Sequence, residues 1–271
     1  MTEHVDIPMR TVAFLDILGF RDKLLNTPLL ELARDYEQRI RDSHFMNRRY
    51  DSTDQTPTLF RDHPSNVPWC AQYVFSDSII LVSRDEDIMS CMKLLLYAWR
   101  LSQLFMGAGT PLRGGIAYGE LYQNPDINVF VGKALAKAYE LEGCQNWIGV
   151  SIDASVVERF PAVFETIDKD EYPILNDLLF EYPVPLKDGT TKSLKTLNWR
   201  WNLVVEKGTR SLFSNSDDPK VVEKVGNTLK YLEAFVGRGR LYVKDQSELP
   251  VELRSWYIGA KEPPFEHGDD L

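Results

Sequence analysis

VAFLDILGF at residues 12–20 and YVFSDSIILV at residues 73–82 each set an aspartate, Asp16 and Asp77, where a run of strand-forming residues meets a turn. A hydrophobic strand does not carry an ionised carboxylate without compensation, because desolvating a lone charge is expensive unless a cation or strong donors answer it. Two such positions in one chain point to a divalent-metal site. Asp16 stands just before Gly19, so the chain can turn tightly and aim backbone N–H groups at an anion while the carboxylate holds the metal. That combination favours a phosphate-bearing ligand.

Working outward, TVAFLDI at 11–17 reads as a strand with Val12, Phe14 and Asp16 on one face. Thr27 and Pro28 open a helix whose apolar stripe is Leu29, Ala33, Tyr36 and Ile40, running out near His44. Residues 51–68 are rich in Pro, Ser, Thr and Asp without either period and read as a long loop of the kind that is often functional. Two short strands then meet around Phe75–Ser78, a hairpin that lifts Asp77 to its tip. Residues 85–109 hold a helix with Ile88, Met92, Leu95, Leu96 and Trp99 as its core stripe and Gly107 or Gly109 beyond its end.

PLRGGIAYGELY at 111–122 is a strand in which Gly114 and Gly115 admit another backbone or a ligand at close range. INVFVG at 127–132 is a further strand, and the helix after it places Lys133 and Lys137 at i, i+4 on one face and ends at Gly143. WIGVSI at 147–152 adds one more strand. From Phe160 the composition shifts, and Pro183, Pro185 and a Lys187–Gly189 turn indicate β-rich material before a helix that starts near Asp218 and Pro219. The expected division is a domain at 1–158, an α/β sandwich on one sheet, and an extension at 159–271.

The 271 residues are 44% hydrophobic and 26% charged, which suits a soluble globular protein of one large or two small domains. No stretch approaches the roughly 18 uninterrupted apolar residues of a membrane helix, and MTEHVDIPMR lacks the order of a signal peptide. A cytoplasmic protein without a membrane partner is expected. A net charge of −9 argues against a broadly basic nucleic-acid surface and leaves small anionic substrates open. Cys70, Cys91 and Cys144 form no CxxC pair and do not cluster with His4, His44, His63 or His267, so buried reduced thiols are expected rather than zinc or disulfides.

Four segments in order, FLDILGF at 14–20, FSDSIIL at 75–81, LRGGIAYGE at 112–120 and VGKALAKAYELE at 131–142, resemble class III nucleotidyl cyclases over about the first 158 residues. Chain length, the AYELE helix and the C-terminal extension look most like the bacterial pyrimidine cyclases of the Pycsar antiphage system. The resemblance implies an α+β protein: a ferredoxin-like βαββαβ core, here followed by a β-rich and helical extension, acting as a head-to-tail homodimer with active sites at the interface. It implies cyclisation of a nucleoside triphosphate to its 3′,5′-cyclic monophosphate plus pyrophosphate, with two divalent ions, Mn²⁺ or Mg²⁺, per site. By resemblance Asp16, Ile17 and Asp77 form the metal set, and the backbone from Ile17 through Leu18 and Gly19 to Phe20 cradles phosphate.

Departures from the family are informative. The catalytic Asn and Arg of purine cyclases fall on Ala136 and Glu140 here, and neither can supply that donor. Lys133, Lys137 and Arg113 are the candidate replacements, a lysine serving as a point charge for phosphate and an arginine as a bidentate fork. The adenine-selecting Lys and Asp fall on Tyr73 and Val129. Tyr73 can stack on or hydrogen-bond a smaller base, and Asn128 can read a pyrimidine edge. The expected substrate is therefore UTP, with CTP the nearest alternative, and the cyclic nucleotide is expected to be read by a separate effector. A non-catalytic nucleotide-binding module is the second reading. A diguanylate cyclase ranks last, since the hairpin lacks a GG[DE]EF turn.

Overall fold

The computed structural model describes residues 7–48, 68–107, 109–167, 178–198 and 218–236. The proposed loop at 51–68 lies outside the described residues except for Pro68. Described residues up to Asn47 and from Pro68 onward belong to one compact unit. Strand β1 (Met9–Ile17) is followed by helices α1 (Phe20–Asn26) and α2 (Leu29–Arg48), the hairpin β2 (Cys70–Phe75) and β3 (Ser78–Ser83), helix α3 (Ile88–Gly107) and strand β4 (Leu112–Glu120). These four strands lie in the order β2-β3-β1-β4, every neighbour antiparallel. That order, with helices in the two crossovers, is a ferredoxin-like βαββαβ arrangement in an α+β protein.

The chain then adds a small ribbon, β5 (Tyr122–Asn124) and β6 (Val129–Val131), helix α4 (Lys133–Cys144) and strand β7 (Val150–Ile152). Two short helices follow, α5 (Ala154–Arg159) and α6 (Pro161–Ile167), before strands β8 (Leu179–Pro185) and β9 (Thr191–Leu197) and helix α7 (Pro219–Val236). Strand β7 runs parallel to β4, and β9 and β8 extend the same sheet to seven strands. Among the described residues no helix is long and apolar enough to cross a membrane.

Helix α4 lies on the face that carries Val12, Phe14 and Asp16: Tyr139 meets Phe14 edge-on at 5.2 Å, and Ala134 packs with Val12. The approach is close because β4 is bare at Gly115, where an added Cβ would stand 2.3 Å from the Ala138 carbonyl. Helix α7 shares that side, with Tyr231 and Leu232 in one apolar cluster with Leu141, Trp147 and Tyr182. The opposite face is covered by α3, whose Met92, Leu95, Leu96 and Trp99 are buried as expected, whereas Ile88, expected in the same stripe, stands at the first position of the helix and is 38% exposed.

Several local expectations need correction. Helix α1 was not anticipated, and in α2 the buried line is not the one starting at Leu29, which is 69% exposed, but Leu32 with Ser43. A polar Ser43 can be buried because its carbonyl accepts from Tyr97 Oη and its hydroxyl accepts from Gln72 Nε2. Asn128 is not in a strand: it follows a 3₁₀ turn at Pro125–Ile127 with φ 54°, a left-handed conformation that Asn tolerates. The β-rich stretch from Phe160 begins only after α6. Cys144 is exposed rather than buried, unlike Cys70 and Cys91.

Candidate active site

Asp16 sits at the penultimate position of β1, opposite Ser78 of β3 and Arg113 of β4. Asp77 occupies the two-residue hairpin turn after Ser76, whose φ of 54° makes the reversal. The Ile17 N–H donates to the Asp77 carbonyl at 2.8 Å, so the two aspartates are brought together at one end of the sheet. Tyr36 of α2 fixes the turn from outside, its hydroxyl donating to the Ser76 carbonyl at 2.7 Å. Gly19 then turns the chain into α1 with φ 75°, where a side chain would be strained.

Burial pushes the Asp16 carboxyl up to about 6, with Glu142 and Asp77 adding to the rise and Arg113 opposing it. Arg113 does not neutralise Asp16 because its charge is committed elsewhere. Glu142 Oε1 accepts from Arg113 Nε at 2.5 Å and also pairs with Nη2, whereas Asp16 lies 4.0 Å from that nitrogen. Arg113 and Glu142 are both buried. Sequence reading singled out Arg113 but missed Glu142, the last residue of the VGKALAKAYELE segment.

The donor set suits a hard divalent cation. Asp16 and Asp77 offer carboxylate oxygens without a committed counter-charge, and among the described residues no cluster of three His, Cys, Asp or Glu completes a cage. Two carboxylates with open positions left for phosphate oxygens are what Mg²⁺-type ions use. The candidate phosphate turn divides in two: the N–H groups of Ile17 and Leu18 are spent on the Asp77 and Pro111 carbonyls, the latter at 2.9 Å, while Gly19 and Phe20 open α1.

The remaining candidates stand apart from the aspartates. Lys133 pairs with Glu120 at 2.8 Å on the exposed face of α4, and Lys137 is exposed one turn on. Ala136 and Glu140 share that exposed side. Tyr73 stacks obliquely on Phe130 of β6 with ring centroids 4.4 Å apart, two residues beyond Asn128. Between these groups runs an open, mainly apolar groove of about 750 Å³ lined by Phe14, Ile80, Phe130, Val131, Leu135 and Tyr139 among others.

No family model matches this sequence. No curated protein matches it either. Among solved structures the chain is similar to the adenylyl cyclase CyaB from P. aeruginosa, with a TM-score of 0.41 and 11% identity over 71% of this chain and 94% of that one. That likeness is too slight to carry function across, which leaves the work to the residues of the site.

Proposed function

We propose that the chain is a nucleotidyl cyclase that converts UTP to 3′,5′-cyclic UMP and pyrophosphate. The observation that carries this reading is the meeting of Asp16 and Asp77 at one sheet end, beside the turn at Gly19. In the reaction the ribose 3′-oxygen loses its proton and bonds to the α-phosphorus while the bond from that phosphorus to the bridging oxygen breaks, releasing pyrophosphate. Bound divalent ions, Mn²⁺ or Mg²⁺, would supply charge stabilisation for the attacking oxygen and the triphosphate. Asp16 and Asp77 would hold that charge in place, and the Asp16 carboxyl, raised by burial and neighbouring acids, would gain most from a cation.

The reading includes a homodimer. Lys137, Ala136 and Glu140 project outward on α4 beside an apolar groove that a second copy would cover, so each site would join the aspartates of one protomer to α4 of the other. Sedimentation that finds only monomer under assay conditions counts against the shared site. The test of the reaction is incubation with each of the four NTPs and Mn²⁺, with products identified by mass spectrometry. Cyclic UMP as the main product is expected, cyclic CMP would move the choice to CTP, and no product from any NTP would favour a non-catalytic nucleotide-binding module. A role as second messenger in antiphage defence follows from the family resemblance alone and belongs to the same proposal.

Base choice is assigned to Tyr73, whose ring is held by Phe130 at the side of the hairpin that ends in Asp77. Tyr73→Lys is expected to lower kcat/KM for UTP relative to ATP and GTP by about tenfold or more, the scale of one aromatic or polar base contact. An unchanged ratio across the four NTPs removes Tyr73 as selector and leaves Asn128.

A further inference from the structure

Helix α7 brings a lysine to the charged end of the sheet. Its docking is fixed by polar contacts: Thr228 Oγ1 accepts from the Ile148 N–H at 2.9 Å and donates to the Lys224 carbonyl at 2.7 Å, and Asn227 Nδ2 donates to the Asn146 carbonyl at 2.9 Å. One residue past Ile148, the Gly149 carbonyl accepts from the N–H of Gly114, the residue after Arg113, at 3.0 Å. Lys224 lies one turn before Thr228 and so on the same side of α7. It is partly buried and within electrostatic reach of Arg113, Lys187, Glu142 and Asp16.

The neighbouring segments converge there independently. The Lys187 N–H donates to the Cys144 carbonyl at 2.8 Å, two residues beyond Glu142. Leu18, in the turn after Asp16, packs against the apolar cluster that also takes Leu229 and Tyr231 of α7. Arg113 and Lys187 thus both lie within electrostatic reach of Lys224, and Arg113 and Lys224 within reach of Asp16. Glu142 pairs with Arg113, and among the described residues no carboxylate lies within 4.0 Å of the Lys224 ammonium. Burial and the two neighbouring cations disfavour its charged form more than Glu142 and Asp16 favour it, so the arrangement is one that a polyanion relieves.

We propose that Lys224 binds the β- and γ-phosphates of the substrate, a contact supplied from the C-terminal helix α7 of the same chain that holds the aspartates. Naming the polyanion as a nucleoside triphosphate rests on the cyclase reading; the anion subsite itself does not. It gives the extension a direct part in the site: α7 contributes the charge that holds the leaving pyrophosphate end while β1 and the β2–β3 hairpin hold the reacting end.

The test titrates inorganic tripolyphosphate and, separately, 3′,5′-cyclic UMP into the full chain with excess Mn²⁺, by calorimetry, for the wild type, Lys224→Ala, Lys224→Met and Lys224→Arg. Loss of one charged phosphate contact is expected to weaken tripolyphosphate about tenfold in the first two variants, with Lys224→Arg within about threefold of wild type. Lys224→Met keeps the apolar stem and guards against a packing effect. In active enzyme the same variants raise KM for the triphosphate. Unchanged tripolyphosphate affinity in folded Lys224→Ala and Lys224→Met overturns the proposal, as does an equal loss for the cyclic monophosphate, which lacks the distal phosphates. If no NTP is cyclised yet tripolyphosphate binding depends on Lys224, the cyclase reading fails and the anion subsite stands.

Discussion

Asp16→Asn and Asp77→Asn are each expected to lower nucleotide turnover by about a thousandfold or more while the fold stays intact. Metal charge stabilisation of a phosphoryl-transfer step is worth several kcal/mol, and each ~1.4 kcal/mol is tenfold in rate. Either change halves the carboxylate charge of a site in which, among the described residues, no third acid joins the two as a metal-ligand cluster. Folding is expected to survive because Asp16 makes no close ion pair, Arg113 being 4.0 Å away, and its ionised form is already disfavoured by burial, Glu142 and Asp77. The metal-free variant is therefore expected to melt no lower than wild type. Mn²⁺ should raise the melting temperature of the wild type and leave that of Asp16→Asn nearly unchanged. Product quantified by mass spectrometry and melting curves with and without Mn²⁺ check both parts; near-normal turnover in either variant removes the metal assignment.

The two aspartates were legible because each breaks a strong local pattern. A carboxylate inside VAFLDILGF or at the centre of a VFSDSII hairpin conflicts with its apolar surroundings, and in the folded chain those two conflicts meet through the Ile17 to Asp77 hydrogen bond. Strand positions were recoverable for the same reason, since β1, the hairpin and β4 are runs bounded by turn residues, whereas their order β2-β3-β1-β4 came only from the ferredoxin-like core that the family resemblance implied. Less was visible where function depends on long-range pairing of charges. Glu142 and Arg113 are 29 residues apart and gave no periodic signal, yet they form the buried ion pair that sets the field at Asp16. Lys224 is one of several lysines on an amphipathic helix, and only the docking of Thr228 on Ile148 distinguishes it from a solvated one. The α2 stripe was misread because a buried serine, satisfied by hydrogen bonds, is invisible to a hydrophobic period.

The Arg113–Glu142 pair allows structure and chemistry to be separated at one residue. Glu142→Ala is expected to destabilise the fold by about 3–5 kcal/mol, since it leaves a guanidinium buried with only a carboxylate 4.0 Å away to answer it. Removing both partners is different: replacing a buried pair with apolar groups of similar volume is often close to neutral, so Arg113→Met with Glu142→Leu should recover most of that loss. Urea midpoints for the two variants read this directly. Turnover of the stable double variant then isolates what Arg113 does besides pairing. Wild-type kcat/KM in that variant would reduce Arg113 to a structural counter-ion and leave Lys224 and the exposed α4 lysines as the candidate phosphate charges. A drop of about a hundredfold at restored stability would instead mean that Glu142 stores a cation for the substrate, because a charge-assisted bond to phosphate is worth up to about 3 kcal/mol. If Glu142→Ala costs less than about 1 kcal/mol, Arg113 has found Asp16 as its new partner, and metal binding should weaken in that variant because one of its two carboxylates is then engaged.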